Sequence, residues 1–109
     1  MNEHELETLT EEISRTSFHR DFTHQISYNK RLRSSGGRYL LKSGNIEINP
    51  LVVQKLGLEV LIGVIKHELC HYHLHQTGRG YRHQDQDFKQ LLHQVDGSRF
   101  VERMKEPNF

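Results

Sequence analysis

From residue 58 onward the apolar side chains Val60, Leu61, Ile62, Val64, Ile65, Leu69 and Cys70 cover almost the whole circumference of a 3.6-residue spiral. A helix apolar nearly all round has to lie inside a fold, covered on more than one side. The remaining elements must therefore wrap it, and the 109-residue length fits one domain doing so. Only 34% of the residues are hydrophobic, so the core is small and a bound metal would help to hold it. The apolar run over 56–65 contains Glu59 and falls short of the roughly 20 residues that span a bilayer. The first 14 residues have neither the basic nor the apolar region of a secretory leader. A cytoplasmic protein without membrane contact is the expectation.

The wrapping elements are legible as changes of period. Asn2 and Glu5 form a capping-box pattern, and Leu6, Leu9 and Ile13 recur at helical spacing, which predicts an amphipathic helix over 3–16. Alternation over 22–28 predicts a strand, with His24 packed on its apolar side. Gly36-Gly37 is a turn signal, and residues 38–41 and 45–49 flank Ser43-Gly44 as a hairpin, giving three short antiparallel strands. Residues 51–56 read as a separate short helix before a bend at Gly57. The buried helix should run through His75 and end near Gly78, and Asp85 or Asp87 could cap a last helix through Val95. The fold class is thus α+β, with an N-terminal helix, a small antiparallel sheet, a buried central helix and a C-terminal helix.

Charge is balanced, 15 Lys and Arg against 14 Asp and Glu, but unevenly spread. Glu3, Glu5, Glu7, Glu11 and Glu12 make the first helix acidic. Residues 22–46 carry Lys30, Arg31, Arg33, Arg38 and Lys42 with no carboxylate. Clustered cations of this kind attract phosphates, which makes these five side chains candidates for nucleic-acid contact; a solvated basic hairpin is the plainer reading.

The buried helix contains His67-Glu68-Leu69-Cys70-His71. Residues four apart lie one turn up on the same helix face, so the two imidazoles converge on one Zn²⁺, and Glu68 sits one step around, within reach of a metal-bound water. Zinc lowers the pKa of such a water to roughly 7, and Glu68 as general base takes its proton. Two histidines and a carboxylate would each be costly inside an apolar helix without partners, and a metal explains their presence. One cysteine against nine histidines excludes a Cys-based site. The third ligand has three candidates. His73 falls on the opposite side of the helix, where exposed surface is expected. His75 is a further turn along the axis and better placed for the helix's C-terminal carbonyls. His83 follows a glycine-containing loop that can turn the chain back.

These residues, followed by Tyr72-His73-Leu74-His75, Gly78-Arg79-Gly80, His83 and Phe88 before an apolar helix, resemble the SprT-like family of zincin metallopeptidases, to which the Spartan-type DNA–protein crosslink proteases are related. The resemblance runs over essentially the whole chain and is strongest over 63–92. It implies one metallopeptidase domain over 1–109, one Zn²⁺ held by His67, His71 and His83, Glu68 as general base, and a protein or peptide substrate, including proteins associated with DNA. Two features depart from the family pattern. Gln84 follows His83 where many relatives have Gly, and Phe88 is five residues beyond His83 rather than four. The Cys-rich zinc ribbon of longer relatives is not expected, because Cys70 is the only cysteine.

Around this core of the site, Tyr81 and Arg82 are candidates for stabilising an oxyanion, and Asp85 and Asp87 for orienting a ligand histidine. Cys70 reads as a buried packing residue. The hairpin could lend a strand edge to an extended peptide. The other functions weighed are a zinc-containing nucleic-acid-binding module without proteolytic activity and a zinc hydrolase acting on another bond, such as a phosphodiester or a small amide.

Overall fold

Asn2 opens the chain's first helix through a reciprocal pair: Glu5 N–H donates to Asn2 Oδ1 at 2.8 Å, and Asn2 N–H to Glu5 Oε1 at 2.9 Å. The computed structural model describes residues 1–99 and Val101; the chain end at Pro107, Asn108 and Phe109 lies outside the described residues. Helix α1 spans Glu3–Ile13 and then widens into a π-helical turn, Ser14–Phe18. Three strands follow, β1 (Ile26–Tyr28), β2 (Gly37–Tyr39) and β3 (Ile46–Ile48), then a second π-helical turn at Val52–Leu56, helix α2 (Leu58–Gln76) and helix α3 (Gln86–Val95). No helix among the described residues is long and apolar enough to cross a membrane.

The sheet is mixed, which corrects the expectation of three antiparallel strands. Its order is β1-β3-β2, with β2 antiparallel to β3 as in the expected hairpin, but β1 parallel to β3. The reason lies in the connection after β1. Asn49 is buried, and its Nδ2 donates to the carbonyls of Leu32, Arg33 and Ser35, holding that loop while it carries the chain past β3 to the sheet's other edge. Alternation marks a strand but names neither its neighbour nor its direction.

Helix α2 is buried for the reason its sequence demands. One side packs on α1 and the sheet, where Leu61, Val64, Ile65 and Leu69 meet Leu6, Ile13, Ile26, Ile46 and Ile48. The other side, through Cys70 and Leu74, packs on Phe88, Leu92 and Val95 of α3. The helix ends at Gln76 and the chain turns away at Gly78, whose φ of 70° is the left-handed conformation glycine adopts without a Cβ penalty.

Candidate metal centre

Helix periodicity puts His67 and His71 on one face of α2, and the loop after Gly78 returns to add His83. Their Nε2 atoms form a triangle with sides of 3.1 Å (His67 to His83), 3.3 Å (His71 to His67) and 2.9 Å (His71 to His83). Three nitrogens around one tetrahedral cation at 2.0–2.1 Å would stand about 3.3 Å apart. These three imidazoles could hold a metal ion.

The opposite edges of two rings decide their protonation. His67 Nδ1 lies 2.6 Å from the main-chain carbonyl of Ser98, and His71 Nδ1 lies 2.6 Å from that of Tyr81. A carbonyl only accepts, so each Nδ1 carries the proton, and in the neutral rings both Nε2 atoms turn lone pairs toward the centre of the triangle. A cation there would accept both lone pairs. Phe88, buried on α3, backs all three rings: it stacks on His71 with centroids 4.3 Å apart and stands 5.2 Å from both His67 and His83.

The two carbonyls had no counterpart among the side chains read from the sequence. Ser98 comes this close because Gly63, one turn before His67, leaves room: a Cβ there would fall on Ser98 Oγ, while Ser98 N–H donates to the Gly63 carbonyl at 3.0 Å. Isolated glycine inside an apolar helix was the available signal.

His71 and His83 open onto a cleft of about 380 Å³. Glu68, 2% exposed, lines it together with His71 and His83. Gly37, Tyr39 and Leu41 form one wall, with Leu41 51% exposed at the rim; Tyr81, Arg82 and Gln84 form the other. The sheet order makes β2 an edge strand beside this opening.

Other candidates fall into place individually. The Arg82 guanidinium lies over the Tyr81 ring, 5.4 Å from its centroid. Asp87 accepts from Gly80 N–H at 2.9 Å and from Arg79 at 3.4 Å, so it holds the loop that carries His83 rather than one of the three imidazoles. Its carboxyl is held below the usual range, chiefly by that backbone bond. Asp85 stands at the start of α3, but its carboxylate accepts from Arg82 N–H; neither aspartate caps the helix through its side chain. Cys70 is buried, and burial followed by the charge of Glu68 pushes its thiol far above the ordinary range.

Lys30, Arg31, Arg33 and Lys42 are exposed. Arg38 is exposed too, and it bonds Glu47 at 2.6 Å on the neighbouring strand. Burial opposes ionisation of Glu47, yet the bonds from Asn29 and Arg38 bring its carboxyl below the usual value.

Two histidines depart from their expected places. His73 is 6% exposed rather than on the surface. Its Nε2 lies 2.7 Å from Ser14 Oγ, which itself donates to the Arg20 carbonyl at 2.6 Å. The ring therefore donates, and its ring packs 5.0 Å from Phe18. His75 bonds Tyr39 Oη at 2.6 Å through Nδ1 instead of a helix-end carbonyl. Both partners come from segments distant in sequence, which helical spacing cannot reveal.

Comparison with known proteins agrees over the same span. The family model described as SprT-like family matches residues 6–106. A protein named "Protein SprT-like" from Bacillus cereus (strain G9842) is 56% identical over 104 residues, covering 95% of this chain and 68% of that protein. One of the same name from Bacillus anthracis (strain A0248) is 53% identical with the same coverage. No solved structure matches.

Proposed function

The chain belongs to the SprT-like family, and from that premise we propose that it is a zinc-dependent metallopeptidase that hydrolyses peptide bonds of an extended substrate. The observation that carries this reading is the convergence of three imidazole nitrogens beside the buried carboxylate of Glu68. Three nitrogen donors at near-tetrahedral spacing, open to a cleft on the fourth side, suit a catalytic zinc. Bound there, zinc would lower the pKa of a coordinated water to roughly 7 and polarise the scissile carbonyl.

The chain's own residues do the rest. The Glu68 carboxylate takes a proton from the attacking water as the carbon–oxygen bond forms, and returns it to the amide nitrogen as the carbon–nitrogen bond breaks. Its burial strengthens both transfers by keeping bulk water from screening them. The outer edge of β2 offers backbone donors and acceptors to an extended chain. Arg82, which lines the cleft, is the candidate donor to the oxygen on which negative charge develops.

The test is purified protein assayed for bound metal and for cleavage of an unfolded protein. About one zinc per chain and cleavage that disappears in Glu68→Gln are expected. Equal cleavage by wild type and Glu68→Gln overturns the reading.

A second reading rests on the exposed cations Lys30, Arg31 and Arg33, clustered in the loop after β1. In it the domain binds nucleic acid, either to reach DNA-associated substrates or as a module without proteolysis. Substituting the three by Ala should weaken DNA binding and flatten its salt dependence; an unchanged salt slope removes this reading.

A further inference from the structure

The two walls of the cleft belong to segments forty or more residues apart, yet one side chain of α2 meets both. His75 follows His71 by one turn. Toward the strand wall its Nδ1 lies 2.6 Å from Tyr39 Oη at the end of β2. The phenol oxygen accepts from Gln76 Nε2 at 3.3 Å, leaving its own proton for His75. Toward the loop wall the His75 ring meets the Tyr81 ring, centroids 4.7 Å apart at 68°. Tyr81 is also the residue whose carbonyl orients His71.

We propose that His75 is a positioning residue that ties the strand wall to the ligand-bearing loop: through Tyr39 it holds the edge strand, and through Tyr81 it holds the carbonyl that fixes His71. Both tethers act on stretches with little regular structure of their own. β2 has three residues and a single neighbour in the sheet. The loop from Gly78 to Asp85 has no strand or helix of its own. The ring of His75 belongs to α2, the most buried helix, and so lends each wall the rigidity of the core. The metal half of this inference rests on the imidazole cluster alone; the substrate half rests on the peptidase reading.

Three substitutions separate the tethers. Tyr39→Phe deletes only the hydroxyl. His75→Asn keeps a polar group near the former Nδ1 but loses the ring against Tyr81. His75→Phe keeps a ring and loses the hydrogen bond. Each is measured by chelator competition for metal, by the visible spectrum of the Co²⁺-loaded protein, by KM and kcat on an unfolded protein, and by melting of the metal-free form.

Tyr39→Phe and His75→Phe should raise KM by about three- to tenfold, as loss of the hydrogen bond between Tyr39 and His75 implies, Tyr39→Phe also losing the weaker one from Gln76, with the Co²⁺ spectrum unchanged. His75→Asn should weaken metal binding by about tenfold and shift the Co²⁺ bands. Metal affinity and KM that both match wild type in all three variants overturn the proposal. So does a uniform change that follows only the melting temperature, because that marks a purely structural role. If wild type itself cleaves nothing, the peptidase reading falls, while the affinity and spectrum of His75→Asn still decide the tether to His71.

Discussion

His71 and Tyr81 are joined by a 2.6 Å hydrogen bond from the imidazole Nδ1 to a main-chain carbonyl, and two residues beyond Tyr81 the same loop delivers His83, with its Nε2 2.9 Å from that of His71. One contact therefore fixes the tautomer of one ring of the candidate centre and the place of the next. It also makes the centre depend on the loop's conformation as much as on the helix.

Glu68→Gln keeps the shape of the side chain and removes its basicity. Metal content should stay at the wild-type level, while kcat/KM on an unfolded protein falls by about 10²- to 10⁴-fold, the range ascribed to a general base. Metal analysis beside a cleavage assay checks both halves.

Metal removal should destabilise the fold, because the three rings come from α2 and from the loop that leads into α3. With metal at about 100 times its dissociation constant, binding contributes about 2.7 kcal/mol, which a chelator should convert into a fall in Tm of roughly 10 °C or more. His67→Ala should melt like the chelated wild type and gain nothing from added zinc. A melting temperature indifferent to chelator would show that the centre holds no ion.

His73 gives the fold a pH dependence of its own. Burial, reinforced by the charge of Arg20, pushes its pKa down to about 4. The unfolded value is about 6.5, so between these two values the unfolded chain takes up a proton that the folded protein refuses. The contribution is therefore complete above about pH 6.5 and is lost as pH falls toward 4, by up to roughly 3 kcal/mol. Denaturant titrations of metal-free wild type and His73→Gln across this window should differ in slope, wild type losing more.

Gly63→Val places a branched side chain where Ser98 approaches α2. Displacing Ser98 withdraws the carbonyl that orients His67, so metal affinity should fall by about tenfold or more, with an overpacking cost of about 1–3 kcal/mol. Chelator competition at a temperature where the variant remains folded separates the two effects. Unaltered metal affinity would show that the Ser98 carbonyl is dispensable.

How much of this was legible in the chain can be judged from particular residues. The all-round apolarity of 58–75 foretold a covered helix, and the structure supplies the two covers, α1 with the sheet on one side and α3 on the other. The mutual facing of His67 and His71 followed from their separation of four. His83 was one of three candidates by spacing alone, and family resemblance selected it. Burial of His73 was missed because its partner, Ser14, lies 59 residues away. The Ser98 and Tyr81 carbonyls carry no residue-type signature, since every residue has one.

Periodicity and spacing are local properties, and they determined what is local: where helices run, which face of α2 carries the histidine pair, and that its polar groups need a partner. The tertiary structure decided what depends on distant segments meeting. It set β1 parallel to β3, brought His83 back to His67 and His71, aimed two carbonyls at the imidazole edges, and put His75 between Tyr39 and Tyr81. The physical reason is that a hydrogen bond or ring contact is fixed by distance in space, whereas the sequence specifies distance only along the chain, and the two coincide within a helix turn but not across a loop.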